Sequence, residues 1–161
     1  MPELDRLITA RSEFHQALHS ALERIAEQGC REVFLCDDDF DDWPLGDPAL
    51  IALLVAWAQG HRRFHVVARS FDGFVRRHPR WVAWRRQWSH VVQCRTVEQL
   101  EPGACPTLLV APGVVALRLA DRVHYRGRLT TQAVEIKLTR DQFDAVSQQS
   151  TDAFPATTLG L

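Results

Sequence analysis

The sequence predicts an α/β protein in which a mixed sheet is flanked by helices. Three observations carry that prediction. Short apolar runs at 33–36, 64–68 and 91–94 are separated by stretches with helical spacing, the rhythm of parallel strands joined by helical crossovers. After residue 106 the rhythm changes to strands joined by tight turns, of which Pro112-Gly113 is the clearest, so the later strands should run antiparallel. With 161 residues, 46% of them hydrophobic, the chain is long enough to bury a sizeable core. It is read as a single domain, 1–161, made of an N-terminal helix (1–29), an α/β core (31–149) and a C-terminal tail (150–161).

Leu4, Leu7 and Ile8, then Ala17, Leu18, Ala21, Leu22 and Ile25, recur at three and four residues and make one apolar stripe on a first helix, which Gly29 ends. Phe14 fits the stripe. His15 and His19 flank it four residues apart, a ligand spacing on a helix. No Glu follows His15 in the metalloprotease pattern, so both are taken as a solvated flank. The run 33–36 is apolar on both faces, as a central parallel strand is. Pro44 and Gly46 then break the chain, and Asp47 caps a helix with Pro48 at its first position. Residues 49–58 are apolar nearly all round, so this helix is expected to be well buried, with Gly60 as its end.

The second strand is 64–68, centred on Val66 and Val67. Two helices follow, 71–77 and 80–88, divided by Pro79. Trp81, Trp84 and Trp88 fall on one face of the second, and Arg80, Arg85 and Arg86 lie off it. A third strand at 91–94 and a polar connection at 98–106 lead into the hairpin 107–111 and 114–119. Asp121-Arg122 turns the chain into a strand at 123–125. Val134, Ile136 and Leu138 alternate with polar residues, which reads as a short edge strand. Thr139 and Gln142 form a capping box for a last helix at 141–149. The tail has Pro155 and no period, with Phe154, Leu159 and Leu161 as candidates to dock. The first three strands are expected to be parallel with right-handed crossovers, and the later hairpins to extend their sheet.

A net charge of −1 makes no global case for a nucleic-acid or membrane partner. The charge is nonetheless divided. Residues 1–60 carry four basic and twelve acidic side chains, a net of −8, and residues 61–95 carry nine Arg and one acid, a net of +8. The N-terminus has charges where a signal peptide has an apolar run, and the stretch 49–58 is too short to span a bilayer, so the expected location is cytoplasmic. Four cysteines without a CxxC pair are read as reduced thiols.

Two constellations could carry chemistry. Asp37, Asp38, Asp39, Asp41 and Asp42 follow the carboxyl end of the first strand, where open α/β sheets place their ligands. Asp37 and Asp39 are the candidate ligands of a Mg²⁺ ion, a hard cation that takes oxygen donors. The alternative is a solvated acidic loop neutralised by the protein's own arginines. Arg69, Ser70 and Asp72 follow the second strand and would lie beside these acids if the two strands are neighbours. A guanidinium and a hydroxyl there could hold a phosphate. The second constellation is the Arg/Trp block. Arg77, Arg80, Arg85 and Arg86 beside aromatic rings suit a single-stranded nucleic acid, whereas three Trp on one helical face equally make a core stripe with a soluble outer side. The opposed blocks also suit self-association, within one chain or as a homodimer. No GxSxG, Walker A or GxGxxG motif is present.

The Asp37-x-Asp39 spacing resembles the start of the haloacid dehalogenase-like phosphatases, but Phe40 follows and no downstream Lys and acidic pair is evident. A wider resemblance covers 31–161. REVFLCDDDF with the helix DPALIALLVAW, the strand HRRFHVVAR, the hairpin LLVAPGVVALRLADR and the closing helix RDQFDAVSQQS resemble a phospholipase D-like domain, and more narrowly an uncharacterised bacterial group with that fold and no catalytic motif. The resemblance implies a phospholipase D-like sandwich. Active members carry HxKxxxxD, which here should fall at 104–112. That stretch, ACPTLLVAP, has no His, Lys or Asp, and His124-Tyr125-Arg126 lacks the Asp. The expectation is a non-catalytic binding or interaction module that pairs with itself or with another protein and has no resident cofactor. A metal-dependent phosphate-processing enzyme using Asp37 and Asp39 with Arg69 is the alternative, and nucleic-acid binding through the Arg/Trp block the second.

Overall fold

A computed structural model describes residues 2–59 and 61–155. Among them, eight strands form one mixed sheet in the order β1-β7-β6-β5-β2-β3-β4-β8. Its centre is parallel: β2 (Glu32–Asp37), β3 (Arg63–Ala68) and β4 (Val92–Thr96), with Phe34 opposite His65 and His65 opposite Gln93. From the other edge of β2 an antiparallel wing runs through β5 (Thr107–Ala111), β6 (Val115–Asp121), β7 (Arg126–Thr130) and β1 (Asp5–Ile8). The expected parallel start and antiparallel extension are both present.

Alternation along the strands divides the apolar side chains into two cores. Val33, Leu35 and Val66 face the larger core, and Phe34, Cys36 and Val67 face the smaller one. The larger core lies under α1 (Arg11–Gln28), α2 (Pro48–Trp57), α3 (Phe74–Arg77) and α4 (Pro79–Gln87), and the smaller under α5 (Ala133–Ser147). Helix α1 buries Phe14, Ala17, Leu18, Ala21, Leu22 and Ile25, and Gly29 ends it at φ +68°, its N–H bonded to the Ile25 carbonyl at 2.9 Å. Asp47 caps α2 by accepting from the Ala49 N–H at 2.9 Å. Trp81 and Trp84 are buried and Trp88 half-buried, so the aromatic face of α4 belongs to the core.

Several expectations are corrected. Residues 5–8 form edge strand β1 on β7 instead of the first turns of α1; there Leu7 is exposed and only Ile8 is buried. Thr9 closes the junction by donating its N–H to Glu13 Oε1 at 2.7 Å. The strand expected at 123–125 is a turn, and pairing resumes at Arg126 after an irregularity between Leu119 and Asp121. Val134, Ile136 and Leu138 lie in α5, where Ile136, Thr139 and Phe143 form the buried face and Val134 and Leu138 are exposed. Alternation over six residues fits either period, and packing on β5 and β6 selects the helix. Thr139 is therefore mid-helix, its hydroxyl donating to the Glu135 carbonyl at 2.8 Å instead of capping.

The tail contributes β8 (Thr151–Asp152), paired with β4. Phe154 docks against Phe71 with ring centroids 5.4 Å apart. Leu159, Leu161 and Gly60 lie outside the described residues. Helix α2 is not buried all round: only Leu50, Leu54 and Trp57 are. Among the described residues no helix is long and apolar enough to cross a membrane.

Candidate functional site

Strand β2 ends on two buried carboxylates. Asp37 accepts the Thr107 hydroxyl hydrogen and the Phe40 N–H (2.9 Å), and the Arg122 guanidinium stands 3.7 Å away. Burial pushes the Asp37 carboxyl above its ordinary value, against the opposing pull of Thr107, Phe40 and Arg122. Asp38 accepts from Arg69 Nε at 3.2 Å and from the Gly103 N–H at 3.1 Å, with Arg122 4.0 Å away. Two carboxylates thus meet two guanidinium groups, and their charges balance. The remaining acids are held locally. Asp39 accepts from the Asp41 N–H (3.0 Å), Asp41 pairs with Arg77 (3.2 Å), and Asp42 stands 3.7 Å from Arg11. Phe40, at φ +59°, turns inward to Trp43 and Phe74. The acidic stretch is an ordered cap on the strand, with an aromatic plug at its centre. Among the described residues no group of three or more His, Cys, Asp or Glu is placed to hold a metal ion.

Because β2 and β3 are neighbours, Arg69, Ser70 and Asp72 do lie beside these acids. The backbone N–H groups of Arg69 and Ser70 both donate to the Asp38 carbonyl, at 2.9 and 3.1 Å. All three residues line a cavity of about 370 Å³ between β3 and β4. Its other charged wall is Glu98, so the cavity holds two carboxylates against one guanidinium that Asp38 already engages.

A second cavity, of about 540 Å³, opens on the α5 side of the same edge. It contains Arg118 on β6, Arg122 in the turn after it, Gln142 on α5, and the backbone around Cys105 and Thr107. No Asp or Glu lines it. Arg118 pairs with Glu135 at 2.7 Å and stays partly exposed, while Arg122 reaches Asp37 and Asp38 only at 3.7 and 4.0 Å. Cys105 in this lining and the buried Cys36 are both free thiols. The interaction with the Cys105 thiol, together with burial, holds Cys36 above the ordinary thiol value. The sequence reading missed Arg118 and Arg122. The available signal was a charged residue inside the apolar strand Val115–Asp121, whose partners are decided by α5.

The Arg/Trp block is largely engaged within the chain. Arg77 pairs with Asp41, and Arg80 donates to the Gly46 carbonyl at 3.1 Å. Arg85, expected off the aromatic face, is buried. It donates to the Phe154 carbonyl at 3.2 Å, while its Nε and Nη1 find no hydrogen-bond partner among the described residues. Arg86 is exposed. With Trp81 and Trp84 in the core, neither ring is a stacking platform for these arginines.

No protein-family model matches the chain, and no curated protein does. Solved structures share its fold, two among them at a TM-score of 0.61. One is TrmBL2, an archaeal chromatin protein described as showing a novel mode of DNA binding: TM-score 0.61, 12% identity, 92% of this chain and 54% of that one. This chain thus spans about half of that protein. The other is NucT from Helicobacter pylori: TM-score 0.61, 9% identity, 94% of this chain and all of that one. At these identities the likeness is one of fold, an α/β arrangement around a mixed eight-stranded sheet.

Proposed function

We propose that the protein is a non-catalytic binding module on a phospholipase D-like scaffold, and that its ligand is a nucleic-acid backbone gripped by Arg118 and Arg122. One observation carries the reading. Among the described residues, the groove on the α5 side of the carboxyl end of the parallel strands brings two guanidinium groups into a lining without Asp or Glu, whereas the cavity beside Arg69 holds Asp72 and Glu98. Phosphodiesters are bound by such forked donors, and each contact adds affinity that salt removes. Gln142 and the backbone at 103–107 supply further donors and acceptors for sugar or phosphate. The DNA binding described for TrmBL2 supports the ligand class. The absence of His and Lys from the groove lining supports binding without phosphodiester cleavage.

Fluorescence anisotropy with labelled single-stranded and duplex DNA tests the reading. Binding is expected at about 50 mM salt, falling on a log–log plot with a slope near −2 for two neutralised phosphates. Arg122→Ala should weaken it and reduce the slope by about 1, while replacement of the exposed Arg76 by Ala leaves both unchanged. Binding that ignores both Arg118→Ala and Arg122→Ala, or no binding at low salt, refutes the assignment.

A further inference from the structure

Helix α2 has no polar side chain in its ten residues, PALIALLVAW. A helix on the surface of a domain normally carries polar residues on its outer side, and one that is apolar all round is normally enclosed. Here the inner side supplies Leu50, Leu54 and Trp57 to the core, while Ala49, Ala52, Val55 and Ala56 are exposed, Val55 at 49%. These four lie at helical spacing and form one continuous outer stripe. An apolar stripe of this kind marks a surface that another molecule covers.

The flanks identify that molecule. Helix α2 packs between α1 and α4. His19 bonds Asp47 at 3.0 Å and Arg80 bonds the Gly46 carbonyl at 3.1 Å, so residue 19 of α1 and residue 80 of α4 are both level with the start of α2. At about 1.5 Å per residue, Glu23 and Glu27 stand roughly 6 and 12 Å further along one flank, and Arg86 roughly 9 Å further along the other. All three are exposed, and among the described residues none has an ion-pair partner. Within the chain the acidic and basic blocks meet in the pairs Arg69–Asp38 and Arg77–Asp41. Glu23, Glu27 and Arg86 are among the charges that those pairs leave over, and they stand on either side of an apolar ridge.

We infer that this face is the interface of a homodimer in which α2 packs against α2 of a second copy. A twofold axis running along α2 brings the α1 flank of each copy over the α4 flank of the other. It therefore sets Glu23 and Glu27 against Arg86 twice over. The alanines at 49, 52 and 56 allow the two helices to approach to roughly 8 Å. The surface lies on the face of the sheet opposite the Arg118–Arg122 groove, so it stands or falls independently of the nucleic-acid reading.

The test is light scattering after size exclusion across protein concentration, at low and high salt. A dimer is expected at low salt and weaker association at high salt. Val55→Glu and, separately, Ala52→Glu should each give a monomer with an unchanged far-UV circular dichroism spectrum. Arg86→Glu should weaken the dimer by about tenfold or more, and so should Glu23→Arg with Glu27→Arg. Combining all three reversals should restore it to within about threefold. A wild-type protein that is monomeric at every concentration overturns the inference. So does a dimer that survives both Val55→Glu and Ala52→Glu, or a charge reversal that the combination fails to rescue.

Discussion

Replacing Asp38 by Ala separates an internally neutralised acidic loop from one held open for a ligand. The Asp38 side chain is 7% exposed, and it accepts from Arg69 at 3.2 Å and from the Gly103 N–H at 3.1 Å. Truncation removes one charge-assisted hydrogen bond, worth about 1.5–3 kcal/mol, and strands a backbone donor at about 1 kcal/mol more. A fully buried ion pair would lose about 3–5 kcal/mol, but Arg69 remains 27% exposed and can recover some hydration. The expected loss is therefore about 2–4 kcal/mol, a large share of the roughly 5–15 kcal/mol typical of a domain. In urea unfolding this appears as a midpoint lowered by about 1–2 M with an unchanged m-value. A double-mutant cycle with Arg69→Ala should give a coupling of about 1–2 kcal/mol. If repulsion among Asp37, Asp38, Asp39, Asp41 and Asp42 dominated instead, removing one charge would raise the midpoint. An increase, or a change below about 0.5 kcal/mol, refutes the account of the loop as a neutralised cap.

Two further substitutions probe other parts of the same construction. A Cβ at Gly127 would stand 2.0 Å from the Arg118 carbonyl oxygen and 2.8 Å from Leu119 Cα, backbone atoms that cannot yield without opening the β6–β7 ladder. Gly127→Ala should cost about 2–3 kcal/mol or more in urea unfolding, and a neutral effect would show that the two strands are paired differently. His78 is buried against the Phe40 carbonyl (2.9 Å), and burial holds it below its ordinary value of 6.5. Below pH 6.5 the unfolded chain then takes up a proton that the folded one refuses, so His78 costs stability progressively as pH falls through that range. His78→Gln keeps a donor for Phe40 and should flatten the difference in stability between pH 7 and about 5. Glu13, Asp47 and Asp121, held low by hydrogen bonds from Thr9, His19 and His124, lose their contributions only below their ordinary values of 3.8–4.5. An identical pH profile in wild type and His78→Gln would show that folding leaves the proton affinity of His78 unchanged and refute its depression by burial.

Local pattern was a good guide wherever a segment's neighbours in space are also its neighbours in the chain. Run 33–36, apolar on both faces, and run 64–68, centred on Val66 and Val67, were legible as strands, and Asp47-Pro48 and Gly29 punctuate helices by their own backbone chemistry. The same reading set Arg69 beside the acids of β2 on the condition that the two strands are neighbours, and β2 and β3 are. It failed where a partner outside the segment decides the state, whether far along the chain or near. Residues 5–8 are a strand because β7 offers an open edge, and residues 133–138 are helical because β5 and β6 present a surface to cover.

The candidate site divides in the same way. Opposed charge blocks were visible in composition, and so was the absence of HxKxxxxD. Which arginine meets which aspartate was not, since Arg122 reaches Asp37 and Asp38 from a turn more than eighty residues on. Nor could composition tell that Arg85 goes inward while Val55 stays out, because a helix apolar on every side declares no face of its own. The sequence by itself determined the alternation of elements, the parallel centre and the charges available to the protein. Tertiary structure decided the edges of the sheet, the pairing of those charges and the faces left to solvent. These depend on long-range contacts whose energies exceed the small local preferences recorded in the order of residues.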